Sequence, residues 1–350
     1  MGSVDGFGSV IVNGVRFGVD RAQVVTEGAS SLQLGMTVLV QGTIDAGLAT
    51  GTASYVLSVP ELRGPVGSVN AAAGLLDVMG VQVSVDDATV YSGISGLSAL
   101  QAGQNVQVYA LPAVSGPMRA TRIEKLVAAP QPVLWGTVQA LDTAARQFRV
   151  GSMQVKYDKA SFVGGLSASA LANGMALYVN AVGAPVGNVL TAGQLRPRHA
   201  LSPQAASPVA LTGLVGDFVS LQSFTLQGTR VNVANARVTG GQASSIGNRV
   251  KLEVAGRMVN GVLVAERAKI RHIPGTGGPA SFEVIGAVAQ YKSLSSFRVN
   301  GQPVDASGSG VVFSNGTTAD LRNGAQVSVR GSQVVDGVLI ATQVDFTAKK

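Results

Sequence analysis

The sequence predicts an all-β protein built from five small β-barrels in tandem, each of five or six strands. Three observations predict it. A hairpin pattern recurs: "VIVNGVRFGVD" (10–20), "LLDVMGVQVSVDD" (75–87), "FRVGSMQVKYD" (148–158), "FTLQGTRVNVA" (224–234) and "FRVNGQPVDAS" (297–307). A second pattern, Leu-x-x-Gly before an alternating strand, recurs at "LQLGMTVLV" (32–40), "LQAGQNVQV" (100–108), "LANGMALYV" (171–179) and "LRNGAQVSV" (321–329). The composition agrees: 45 of 350 residues are Gly, 46% are hydrophobic and 13% charged, a mixture that short strands and tight turns produce.

Each element has a local reason. Apolar and polar residues alternate through the hairpins, as half-buried strands require. The turn residues Gly14, Gly80, Gly228 and Gly301 tolerate positive φ, and Asn-Gly at 13–14 and 300–301 favours a type I′ turn. In the third copy the Gly moves one place, giving Gly151-Ser152. The second pattern places Gly35, Gly103, Gly174 and Gly324 where the chain turns into a strand. The fourth copy, "SSIGNRVKL" (244–252), reads as keeping Gly247 and shifting its apolar residue to Ile246, with Ser244 replacing the Leu. A last hairpin closes each repeat, as in "NGVLVAERAKI" (260–270) and "DGVLIATQVDF" (336–346). A twisted sheet of this length with one apolar face covers itself by curling into a barrel, which also removes its edges.

Pro-rich joints separate the repeats: "PELRGP" (60–65), "AAPQPV" (128–133), "PRHALSPQAASPV" (197–209) and "PGTGGPA" (274–280). They predict domains at 1–59, 64–127, 134–196, 209–273 and 282–347. Immunoglobulin-like sandwiches need about 100 residues each, so the period argues against them. Barrels of about 60 residues are marginally stable alone. Contacts between neighbours across the joints are expected, giving a curved or extended array.

The succession Phe-x-Val-x-Gly-x-x-Val, Leu-x-x-Gly-x-x-Val-x-Val and Asp-Gly-Val-Leu-x-Ala-x-x-Val resembles the bacterial family called domain of unknown function 5666. The last repeat carries it best, in "FRVNGQPVDA", "ADLRNGAQVSVRG" and "DGVLIATQVDF". The resemblance implies OB-like barrels and a bacterial periplasmic, outer-membrane or extracellular location, often as a lipoprotein. It implies no reaction. The opening "MGSVDGFGS" has no basic region and no apolar core of a leader, and no lipid-bearing Cys occurs.

Residue by residue, the chemistry is sparse. Without Cys there is no disulfide or thiolate site. His199 and His272 follow Arg at repeat ends without a ligand partner at metal spacing, and read as loop residues. Asp20, Asp86, Asp158 and Asp305 follow the third strand, where Asp caps turns. Asp86-Asp87 would face opposite sides of a strand, and "GTGG" (275–278) does not lie between a strand and a helix. No enzyme, cofactor or metal is expected. No apolar run reaches a transmembrane length.

Charge supplies the one candidate face. The net charge is +7, and residues 209–278 hold eight Lys/Arg against three Asp/Glu. Arg249, Lys251, Arg257, Arg267, Lys269 and Arg271 crowd the last strands of the fourth repeat. Alternation with Val250 and Leu252 predicts that Arg249 and Lys251 are exposed. The expected function is a non-catalytic scaffold that binds polysaccharide, lipopolysaccharide or envelope proteins. Polyanion or nucleic-acid binding through this face is the alternative, and self-assembly the second. Nucleic acid would need aromatic stacking platforms, and the recurrent Phe148, Phe224 and Phe297 read as core.

Overall fold

The computed structural model describes residues 1–347 except 8, 114–115, 198–207 and 273–280. The third and fourth joints fall almost wholly outside the described residues, as do His199, the "GTGG" stretch and the side chain of His272. The described chain is all β, with four short 3-10 turns and no α-helix.

The fifth repeat shows how one unit closes. Its first strand, Phe282–Ser293, pairs with the second, Ser296–Val299, which pairs with the third, Gln302–Asp305. The third then runs parallel to the fifth, Val338–Phe346. The fifth pairs with the fourth, Gln326–Val335, and the fourth returns to the first. The same circuit closes in the first repeat, the second and the fourth. In the third repeat it also closes, with the first strand divided into Val133–Thr137 and Gln139–Asp142. We call these units rings 1 to 5. The Phe residues at the hairpin position fill the rings: Phe148 and Phe224 are each 1% exposed and Phe297 2%.

Turn chemistry acts as expected. Asn13-Gly14, Met79-Gly80, Gln227-Gly228 and Asn300-Gly301 all have two positive φ angles, as type I′ requires. In ring 3 only Gly151 does, the pattern of a turn with Gly first. Asp86 and Asp305 accept the amides of Ala88 and Ser307, so both cap turns. Leu100, Leu171, Ile246 and Leu321 are buried.

The fourth-repeat register requires a correction. The amides of Gly35, Gly103, Gly174 and Gly324 each donate to the first strand, at Val4, Val66, Val138 and Val288. In ring 4 the donor to Val215 is Arg249, not Gly247. Arg249 has φ 71°, while Gly247 has no positive φ. Ile246 therefore stands in the Leu position, and Arg249 occupies the left-handed site that glycine fills elsewhere. The sequence reading followed the glycine, but the backbone kept the position.

The rings do not form an extended array of nearest neighbours. The first strand of ring 1 (Gly2–Phe7) runs parallel to that of ring 5, with Gly6 opposite Glu283 and Phe7 opposite Val284. Gly6 permits this approach, since a β-carbon there would lie 2.1 Å from the Glu283 carbonyl oxygen. Rings 2 and 3 join through Leu62 and Arg63 opposite Leu134 and Val133, and share one apolar core. Rings 1 and 2 meet at Arg122, which is 2% exposed and donates to the Leu34 carbonyl and the Gln33 side chain. The buried Glu61 carboxylate accepts from Thr37 of ring 1 at 2.9 Å and from Tyr178 of ring 3 at 3.4 Å. Ring 2 also touches ring 5, where the Gly337 amide donates to the Tyr91 carbonyl. Each small ring has too little interior to bury its apolar surface. Docking on several sides supplies the missing burial.

Candidate functional site: a basic cleft between rings 1 and 4

The face predicted on ring 4 divides into a buried part and an open part. Its buried part is a junction with ring 1. The fourth and fifth strands of ring 4, Lys251–Val259 and Val262–His272, carry polar residues on the outer side of the ring, and ring 1 covers the near ends. There Arg271 bridges Asp5 of ring 1 at 3.6 Å and Glu253 at 3.2 Å. Lys251 is 8% exposed and Glu253 5%. The backbone and amide groups beside them interlock as well: Thr212 N donates to the Met1 carbonyl at 3.0 Å, as Asn13 Nδ2 does at 2.8 Å.

The electrostatics follow from this burial. Desolvation pushes the Glu253 carboxyl up, with Asp5 adding to the effect and Arg271 opposing it. Desolvation pulls the Lys251 ammonium down, against the attraction of Asp5 and Asp86. For Arg271 burial pulls down too, but Glu253 and Asp5 outweigh it and leave the guanidinium held above its ordinary range. These groups belong to a structural junction. The expected exposure of Lys251 is therefore wrong, and Arg271 is not a surface group either. Strand alternation places Lys251 on the outer side of its ring but cannot show that another ring covers that side.

The open part lies next to the junction. A short strand, Arg237–Thr239, runs parallel to the fifth strand of ring 4, placing Arg237 opposite Arg267 and Thr239 opposite Lys269. Positions two apart on a strand share a face. Arg237, Arg267, Thr239 and Lys269 thus form a block, two by two, on one face. The block lines a cleft of about 260 Å³, with Glu253 at its base and the Asn13-Gly14 turn of ring 1 on its far side. Arg267 Nε is buried without a hydrogen-bond partner. Arg237 and Lys269 are exposed.

Of the six predicted basic residues, only Arg267 and Lys269 line this cleft. Arg257 is exposed but pairs with Glu266 at 3.6 Å. Arg249 is exposed on the left-handed turn. Arg237 was missed, because it lies thirty residues before Arg267, outside the crowded strands, and reaches it only through a parallel pairing. Among the described residues, no group of three or more His, Asp or Glu could hold a metal ion. Among the same residues, no helix is long and apolar enough to cross a membrane. All seventeen aromatic residues are described, and none is exposed.

Comparisons with known proteins bear on the family. Among curated proteins nothing matches this chain. Among solved structures, one titled drosophila Unr CSD456 aligns over 60% of this chain and 96% of its own, with 13% identity and a TM-score of 0.15. That score is too low to bear on fold or function. The model of the family described as Domain of unknown function (DUF5666) matches residues 63–124 and 285–345, which lie in rings 2 and 5. Those two segments, together well under half of the chain, are similar to the DUF5666 family.

Proposed function

We propose that this chain is a non-catalytic scaffold of five OB-like barrels that binds an anionic macromolecule of the bacterial envelope, at the periplasmic, outer-membrane or extracellular side. The barrels correspond to 1–59, 64–127, 134–196, 209–273 and 282–347. The closed pairing circuit, with third and fifth strands parallel, supports the OB-like reading. One observation carries the ligand reading: three cations, Arg237, Arg267 and Lys269, line an open cleft beside the inter-ring junction with Glu253 as the one acidic residue among its lining. A concave site with few, convergent polar groups is the usual form of a binding site.

Acidic polysaccharide or lipopolysaccharide fits better than nucleic acid. Single-strand binders of the OB type stack bases on exposed aromatic side chains, each worth about 1–3 kcal/mol. Here those rings are turned inward: Phe224, Phe297 and Tyr109 are buried, and Trp135 is 7% exposed. The test is binding of the intact chain to acidic polysaccharide, lipopolysaccharide and single-stranded nucleic acid at low and near-physiological salt. Glycan binding that persists at near-physiological salt supports the reading. A preference for single strands, or binding that vanishes for every anion as salt rises, refutes it.

A further inference from the structure

We infer that the cleft between rings 1 and 4 is a subsite for a phosphate or sulfate ester carried on an anionic glycan, held by Arg237, Arg267 and Lys269. The inference rests on the anionic-ligand reading above and goes beyond it by naming the group and the residues.

Three features lead there. The first is a like-charge pairing. Arg237 and Arg267 are direct cross-strand partners, an arrangement that costs stability unless an anion lies between them. The structure supplies such an anion elsewhere: Arg271, one turn of the alternation beyond Lys269, has both Glu253 and Asp5. Glu253 also reaches the cleft, but Arg271 already occupies it at 3.2 Å. Among the described residues, neither Arg237 nor Arg267 forms an ion pair.

The second feature is the buried Nε of Arg267, without an acceptor. Burying part of a charged guanidinium without an acceptor is unfavourable, and an anion held at the rest of this half-buried side chain offsets that cost. The third is the number of donors. Two guanidinium forks and one ammonium converge on one space, with the Thr239 hydroxyl at its edge. A carboxylate offers two oxygens. An esterified phosphate or sulfate offers three outward oxygens, one for each cation, in the fork geometry that arginine matches. The volume, about 260 Å³, lies just below the roughly 300–1,000 Å³ of small-molecule sites. It accommodates the ester with part of a sugar.

The site is built by two rings. Ring 4 supplies the cations, and the Asn13-Gly14 turn of ring 1 forms the opposing wall. An isolated fourth repeat would have only a flat basic strip.

Dextran sulfate and lipopolysaccharide serve as ester-bearing probes, polygalacturonate as the carboxylate-only probe, and single-stranded DNA as the nucleic-acid probe. Inorganic sulfate and phosphate serve as competitors that separate a polymer-bound ester from the free ion. The variant Arg237→Ser/Arg267→Ser/Lys269→Ser is compared with Arg149→Ser/Lys156→Ser/Lys159→Ser, which removes the same charge from exposed positions of ring 3. The expected result is a loss of about tenfold or more for an ester-bearing glycan in the cleft variant, and about twofold or less in the control. Arg237→Gln alone, at an exposed residue, decides the matter if the triple variant loses its cooperative melting transition. It is expected to weaken binding about threefold.

Equal losses in the two triple variants overturn the subsite while leaving the anionic-ligand reading intact. Polygalacturonate binding as tightly as dextran sulfate overturns the ester assignment. DNA binding more tightly than either glycan overturns the glycan. Inorganic phosphate or sulfate binding as tightly as the polymers reduces the site to a free-ion site and overturns the glycan-borne ester. No binding by the intact chain overturns the functional reading itself.

Discussion

The joint between rings 2 and 3 and the joint between rings 1 and 4 solve the same packing problem with opposite chemistry. The first is a backbone ladder. Leu62 faces Leu134, both 0% exposed, and the Trp135 amide extends the pairing to the Glu61 carbonyl at 2.8 Å. Apolar residues of both rings merge into one core. The second joint adds ions to its backbone contacts: Arg271 bridges Asp5 and Glu253, with Lys251 buried beside them. An apolar contact such as Leu62 against Leu134 depends on shape and carries no charge of its own. A buried ionic joint depends on every member being present, because a charge left without its partner is costly. The difference teaches where this protein is adjustable. The ring 1 to ring 4 joint is tuned by charge, and the open basic cleft lies against it.

The largest effect is expected from Arg271→Leu, which strands Glu253 and Asp5 at the joint. It should cost about 3–5 kcal/mol at neutral pH, measured by denaturant unfolding. The loss should shrink on acidification. A carboxyl raised in the folded state destabilises that state when ionised, and the deficit disappears as pH falls through its raised value towards 4.5. A loss in Arg271→Leu that does not change with pH would break the comparison. Leu134→Ala, at the apolar joint, should cost about 2–5 kcal/mol through the cavity it leaves. Its cost should be the same at acidic and neutral pH, and a pH-dependent cost would also break the contrast.

Two smaller changes sharpen the picture within single rings. Asn323 accepts the Tyr291 amide at 2.8 Å. It does so just beyond Gln290, whose φ is 50°, where the first strand of ring 5 bends. Asn173 and Asn248 hold Leu141 and Phe218 in the same way, beside Ala140 and Asp217, which also have positive φ. Rings 1 and 2 have Leu34 and Ala102 at this position and no left-handed residue at the bend. Asn323→Ala should therefore cost about 1 kcal/mol, measured by denaturant unfolding. Arg249→Gly should stabilise the chain by about 0.5–1 kcal/mol, because glycine enters the left-handed region without a side-chain penalty. A fall in melting temperature would show that the Arg249 side chain contributes more than its strain costs.

The sequence made the rings legible because local rules fix them. Asn-Gly turns, alternation and the Leu-x-x-Gly position are all decided within about ten residues. The partnership of rings was not legible. Nothing near Gly6 announces that Glu283 lies across from it, and strand alternation says which side a residue faces but not what covers that side. Hence Lys251 was read as exposed and is buried. The site was half legible for the same reason. Arg267 and Lys269 follow from composition and alternation, whereas Arg237 joins them only through a parallel pairing. Arg249 was misplaced by the opposite fault: a glycine rule was applied to the one repeat that breaks it.

The pairing of the first ring with the fifth also sets a timetable. At about 5–20 residues per second of synthesis, the strand that pairs with Gly6 and Phe7 follows them by some fifteen to fifty-five seconds. Throughout that interval the first ring must present an unpaired strand edge to its surroundings, the surface that strand edges from other chains would add to. The slow step in maturation should therefore be the return of the fifth ring to the first. The nascent chain is most vulnerable to wrong partners until the fifth ring has emerged.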